Sequence, residues 1–175
     1  MQIIRHEILE STSDELRRML GENPSLEDRT VVVTREQSKG RGQGDHIWYS
    51  TKGKNLLFSI LIRHDDGSLR TDALENLMNT ISVSICKYLI SNGIEPRIKY
   101  PNDIMVADRK ICGILIENFL SGKTVKATIV GIGLDINEEN WPQDIPGVSL
   151  SELTGKTYDT GEELEKVLNY INETI

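Results

Sequence analysis

Two apolar runs, Ile111-Cys-Gly-Ile-Leu-Ile-Glu-Asn-Phe-Leu120 and Thr124-Val-Lys-Ala-Thr-Ile-Val-Gly-Ile132, stand close together with Ser121-Gly122 between them. Aliphatic and β-branched residues dominate both, and a Ser-Gly step between such runs reads as a β-hairpin. Gly113 lies inside the first strand, and Gly131 and Gly133 lie near the end of the second. Glycine within a strand leaves room for another group to approach the backbone closely.

The other elements fall around this hairpin. Leu56–Arg63 is almost continuously apolar, as expected of a buried central strand. Val31–Thr34 is a short β-branched strand, and Ile98–Tyr100 is another, ended by Pro101. Residues 72–90 place Leu74, Leu77, Met78, Ile81, Ile85, Tyr88 and Leu89 at helical spacing, with Asn92-Gly93 as the stop. Thr12-Ser-Asp-Glu15 has the spacing of a capping box and opens a helix to about Leu20, ended by Asn23-Pro24. Residues 161–175 read as an acidic helix opened by Thr160 and Glu163, without a stop signal. This order of elements gives an α/β (α+β) class with a partly antiparallel sheet.

The 175 residues suit one domain with a full core. No run approaches the ~20 apolar residues of a membrane span. No signal peptide is apparent, and two cysteines, Cys86 and Cys112, are too few for a disulfide framework or zinc site. A reducing cytoplasm fits best. The net charge of −7 is unevenly spread. Residues 135–175 hold ten acids against two bases, leaving the remainder near neutral. Within that remainder, residues 35–54 hold five bases against two acids. A local cationic loop on a near-neutral body fits a small anionic ligand better than a nucleic-acid surface.

Three segments carry candidate chemistry. Gly40-Arg-Gly-Gln-Gly44 follows a strand but is neither a dinucleotide fingerprint nor a phosphate-binding Gly-Lys-Ser/Thr loop. Its glycines allow close backbone approach, and Arg41 offers a planar fork for carboxylate or phosphate. The competing reading is a solvated surface loop. Lys99-Tyr-Pro-Asn-Asp103 gathers a cation, a rigid turn, an amide and a carboxylate at a strand end. Its competing reading is an ordinary turn. Lys110 begins the strand that carries Gly113, where a point charge could neutralise a developing negative charge; the alternative is a snorkelling lysine beside a bulge.

Together, Glu10-Ser-Thr-Ser13, Glu36-Gln37, Gly40-Arg-Gly-Gln43 with Trp48, Lys99-Tyr-Pro-Asn-Asp103, Lys110-Ile-Cys-Gly-Ile-Leu-Ile-Glu117 and Val130-Gly-Ile-Gly133 resemble the biotin protein ligase (biotin–[acetyl-CoA-carboxylase] ligase) family. The resemblance spans residues 8–150. It implies a mixed, largely antiparallel central sheet flanked by helices, of the biotin/lipoate ligase and class II aminoacyl-tRNA-synthetase type. It implies ATP, biotin and Mg2+, the magnesium arriving with ATP near Asp103 rather than in a protein site. The implied reaction activates biotin to biotinyl-5′-AMP and transfers it to a lysine of a biotin carboxyl carrier domain. Lys110 and Arg41 are the implied catalytic residues. The implied biotin-facing positions are Ser11, Thr12, Ser13, Gln37, Gly40, Arg41, Gly42, Gln43, Lys110, Gly113, Gly131 and Gly133. The implied nucleotide-facing positions are Arg41, Gln43, Trp48, Lys99, Asn102, Asp103 and Asp135.

The chain departs from the family pattern at Gln43, where an arginine is frequent, and at Asp135, where asparagine is usual. Tyr100 stands for the usual tryptophan. The reading divides the chain into a catalytic domain, residues 1–155, and an acidic C-terminal helix, residues 156–175. It expects no N-terminal DNA-binding segment, hence no repressor role, and no C-terminal β-barrel; charge and hydropathy give no nucleic-acid or membrane partner, and homodimerisation is open. Two alternatives remain: a lipoate or octanoate ligase of the same superfold, and a catalytically weak biotin-binding module.

Overall fold

The computed structural model describes residues 1–64, 71–121 and 124–175. Its strands are β1 (Ile3–His6), β2 (Val31–Thr34), β3 (Leu56–Arg63), β4 (Pro96–Lys99), β5 (Asp103–Val106), β6 (Arg109–Ser121) and β7 (Thr124–Leu134). Its helices are α1 (Thr12–Glu22), α2 (Thr71–Ser91), α3 (Leu150–Thr154) and α4 (Thr160–Asn172). The strands form one sheet in the order β1-β2-β3-β7-β6-β5-β4. Among the described strands β1 and β2 pair in parallel and the other strand pairs are antiparallel. The expected class and sheet character are therefore present. The hairpin is too, pairing Ser121 with Thr124, while Gly122 of its turn lies outside the described residues.

The period-two alternation of strands divides the central residues between two faces. From β3, Leu56, Phe58 and Ile60 enter the larger core; from β7, Val130, Ile132 and Leu134 do the same. Ile81, Ile85, Tyr88 and Leu89 of α2 pack there, with Leu164, Val167, Leu168 and Ile171 of α4. On the other face, Leu61 and Ile129 join Leu16 of α1 in a smaller cluster. Between these layers, Ser59, Gly131 and Gly133 alternate with the large-core residues, and so belong to the α1 side. Register places Ser59 opposite Gly131 and Gly113 opposite Gly133. Small residues thus line up across three adjacent strands on the face that α1 covers only in part.

Several expectations need correction. The N-cap of α1 is Ser11, accepting from the Asp14 N–H at 3.4 Å, rather than Thr12; Thr12 is drawn into a buried hydroxyl cluster. β4 runs Pro96–Lys99, and β1 and β5 are additional short strands. Helix α4 is capped by Asp159, accepting from the Glu162 N–H at 2.9 Å, and stops at Asn172 with Glu173 as C-cap. Its apolar residues Leu164, Val167, Leu168 and Ile171 are part of the large core.

Candidate functional site

A hollow of about 200 Å³ opens between the start of α1, the loop after β2 and the small-residue patch of the sheet. It is lined by Ser11, Thr12, Ser13, Gln37, Arg41, Gly42, Gln43, Trp48, Asn102, Asp103, Lys110, Gly113, Gly131 and Gly133, together with His46, Ile47, Ile114, Leu115 and Ile132. Most residues singled out in the sequence are thus brought together. Gly40, Lys99 and Asp135 are not among them.

One wall is a chain of hydroxyls. The Thr12 N–H donates to Gln37 Oε1 at 2.8 Å and the Thr12 hydroxyl donates to the same oxygen at 3.1 Å. Thr12 Oγ1 lies 2.7 Å from Ser59 Oγ, and Ser59 Oγ lies 2.9 Å from Ser13 Oγ. Each hydroxyl has one proton. Thr12 spends its proton on Gln37, so Ser59 must donate to Thr12 and Ser13 must donate to Ser59. All three protons are committed, and the wall offers the hollow lone pairs. Ser59 is fully buried. Sequence reading missed it, because a single serine in the run Leu56–Arg63 carries no motif; the signal was a polar residue where full burial was expected. A Cβ on Gly131 would lie 2.8 Å from Ser13 Oγ, so glycine lets the strand meet this wall.

The opposite end is cationic. Lys110 Nζ lies 2.5 Å from Asp103 Oδ1 and 5.2 Å from the centroid of the Trp48 ring. Cβ atoms on Gly113 and Gly133 would lie 2.7 Å and 2.3 Å from Trp48 ring atoms. The indole therefore rests on the paired glycines instead of anchoring a core. The loop delivers it by folding back: Trp48 N–H donates to Gly40 O at 2.9 Å and Gly42 N–H to His46 O at 2.7 Å. Gly40 is buried, with its would-be Cβ 2.7 Å from Trp48 O; it shapes the loop rather than facing the hollow. Trp48 Nε1 is buried without a partner.

Arg41 is held by two carboxylates. It donates to both oxygens of Glu117, at 3.0 and 2.8 Å, and to Asp14 Oδ1 at 2.9 Å. The Glu117 hydrogen bonds raise its pKa further. Asp14 and Glu117 had no assigned role in the sequence. Lys99 is exposed, with Nζ 3.9 Å from Asp103 Oδ2. Asp135 is 2% exposed and its Oδ1 has no hydrogen-bond partner. Burial pushes its carboxyl well above the usual range, Glu138 adds to this, and Lys110 opposes it. The Asp135 backbone is held on both sides: its N–H donates to Ile111 O at 2.9 Å and its carbonyl accepts from Leu150 N–H at 3.0 Å. Neighbouring Glu138 shows the contrary case. Burial alone would raise its pKa, but hydrogen bonds from Thr51, Asn140 and Asn55 lower it.

Among the described residues no cluster of three His, Cys, Asp or Glu side chains is present, and Asp103 is already engaged by Lys110.

The stretch from residue 7 to residue 135, which contains the whole hollow, matches the Biotin/lipoate A/B protein ligase family. The chain belongs to that family. This ligase-family chain is 30% identical over 172 residues to the bifunctional ligase/repressor BirA of Bacillus subtilis, covering 95% of this chain and 51% of that protein. The biotin–[acetyl-CoA-carboxylase] ligase of Paracoccus denitrificans is 29% identical over 147 residues, or 81% of this chain and 61% of that one. The solved biotin protein ligase of Aquifex aeolicus, in complex with biotin and ATP, superimposes with a TM-score of 0.77 at 29% identity, covering 99% of this chain and 69% of that chain. The chain spans about half the length of its Bacillus relatives. No helix among the described residues is long and apolar enough to cross a membrane.

Proposed function

We propose that this chain is an ATP-dependent biotin protein ligase. The observation that carries the reading is the pairing, in one hollow, of a hydroxyl wall at one end with the Lys110 ammonium at the other. Biotin has a ureido ring with two N–H donors and one carbonyl, and a chain ending in a carboxylate. The lone pairs of Thr12 and Ser13 suit the N–H groups, and the Gln37 amide nitrogen remains as a donor for the carbonyl. A dithiolane ring would leave that wall unmatched, and unmatched buried polar groups discriminate strongly. This supports biotin over lipoate or octanoate.

The first step forms a bond from a biotin carboxylate oxygen to the α-phosphorus of ATP and breaks the bond to pyrophosphate, which leaves. In the second, the amine of a carrier-domain lysine attacks the carbonyl of biotinyl-5′-AMP. AMP departs and the amine's proton is released. Such transfers depend on positioning and charge neutralisation, with no protein nucleophile required. Lys110 is assigned to the carboxylate and α-phosphate oxygens, releasing Asp103 to do so. Arg41, freed from Glu117 and Asp14, and Trp48 are assigned to closing over the adenylate, which water exclusion protects. Asn102 and Asp103 border the nucleotide. Magnesium belongs to the triphosphate, and no step runs through a protein-held metal. A biotin carboxyl carrier domain is the proposed partner, in a reducing cytoplasm that suits the two free thiols.

Incubation with biotin, MgATP and a biotin carboxyl carrier domain tests the reading. Biotinylated carrier supports it; no biotinylation and no adenylate sinks it. A second reading, a biotin-binding module with weak catalysis, draws on Gln43 and on the engagement of Arg41 by carboxylates. Biotin binding with little or no pyrophosphate release and no adenylate would favour it.

A further inference from the structure

β7 ends at Leu134, opposite Cys112, so no β7 residue stands across from Lys110. A later segment takes the vacant place. The Lys110 N–H donates to Pro146 O at 2.8 Å, and the Val148 N–H donates to Lys110 O at 2.9 Å. This is a parallel bridge centred on Gly147. Both backbone polar groups of the site lysine are therefore held by one tripeptide.

That tripeptide is itself held. A Cβ on Gly147 would lie 2.1–2.6 Å from three carbons of the Trp141 ring, so the indole lies directly on the glycine. Ile145 N–H donates to Pro142 O at 2.9 Å and Gly147 N–H to Ile145 O at 2.8 Å, folding residues 141–147 into a tight loop. Beyond it, Ser149 Oγ donates to Glu138 O at 2.7 Å. Trp141 Nε1 is buried without a partner among the described residues. Trp141 does not line the hollow.

We propose that Trp141 and Gly147 are positioning residues for adenylation: the indole on Gly147 fixes the strap that holds the Lys110 backbone, and so fixes where the ammonium can reach. The proposal rests on the ligase reading. A lysine side chain is flexible; its aim depends on a fixed origin at the backbone as well as on Asp103 and Trp48 at its tip. A displacement near 1 Å is enough to cost about 10²-fold in rate.

The test is biotin-dependent exchange of pyrophosphate into ATP by the whole chain, with Trp141→Ala in the wild-type and Lys110→Ala backgrounds. Trp141→Ala should lower kcat by about 10- to 100-fold, leave the biotin KM within about twofold because the hydroxyl wall is untouched, and recover most activity as Trp141→Phe. In the Lys110→Ala background the same substitution should change nothing further. An unchanged kcat in Trp141→Ala, or an equal loss without Lys110, overturns the proposal. Hydrogen exchange separates this from the ligase reading. In Trp141→Ala the Lys110 and Val148 amides should exchange about tenfold faster or more, whether or not the wild type is active. Unchanged exchange overturns the strap. A wild type inactive in pyrophosphate exchange, with faster amide exchange in the variant, counts against the ligase reading alone. Where Trp141→Ala does not fold, Trp141→Leu carries the same expectations and the same contradictions.

Discussion

The two faces of the sheet use the same three strands for opposite ends. Toward α2 and α4, β3, β6 and β7 present Phe58, Ile60, Ile114, Val130 and Ile132, all nearly or fully buried. Toward α1 they present Ser59, Gly113, Gly131 and Gly133, and there the packing is left open. Along these stretches alternate residues serve stability and recognition separately, while farther along the same face Leu61 and Ile129 pack with Leu16. A large side chain on the first face fills space; on the second it would collide with Trp48 or Ser13. The comparison teaches that the hollow is made by what the strands lack on one side, while the fold is held by what they carry on the other.

The largest effect should come from breaking the packed face. Phe58→Ala should cost about 3–5 kcal/mol of stability, measured by denaturant unfolding, and any folded fraction should keep its biotin affinity. If biotin binding falls as steeply as stability, the two faces are not separable.

Next comes the open face at its charged end. Lys110→Ala should lower adenylate formation about 10²–10³-fold, followed by pyrophosphate release, and should keep the melting temperature and biotin binding. Its side chain is one-third exposed and stands at a strand entry outside the two apolar clusters. Full activity in this variant would remove Lys110 from the chemistry.

A smaller effect belongs to the hydroxyl wall. Ser59→Ala should weaken biotin binding by about tenfold, near the worth of one buried hydrogen bond, and leave ATP affinity alone, both by calorimetry. An equal loss for both ligands would mean a general structural role and blur the contrast.

The smallest concerns Asp135, buried just after β7. Its folded pKa is raised above the ordinary 3.8. Stability tied to its protonated form is therefore complete below that value and is lost as pH rises through the folded pKa. Asp135→Asn should raise the melting temperature at pH 8 by a few degrees and change it little at pH 4. A gain that does not grow with pH would show that the carboxylate is compensated.

Much of this was legible because periodicity reports burial. The long strands, the α2 pattern and the hairpin carry enough apolar residues for the period to show, and the glycines and Lys110 stand out against them. What was hidden has specific causes. β1, Ile3–His6, and β5, Asp103–Val106, are four residues each, too short to show a period, and β5 begins inside the Asn-Asp turn signal. The cap of α1 moved from Thr12 to Ser11 because Thr12 meets Gln37 and Ser59, partners distant in sequence. Ser59 was concealed by its own strand. Asp135 is 2% exposed and absent from the lining of the hollow, although Lys110 acts on its carboxyl, and burial of this kind does not show in the Gly131 and Gly133 pattern. The strap over Lys110 depends on Gly147 and Trp141, whose contact only the folded chain creates.

The central claim is that one hollow joins a ureido-matched wall to a lysine that assists adenylation. Pyrophosphate release measured with MgATP and either biotin or lipoate tests it most directly. Release should require biotin, stay near background with lipoate, and be lost with Lys110→Ala. Release of equal size with lipoate, or none with biotin, would contradict it.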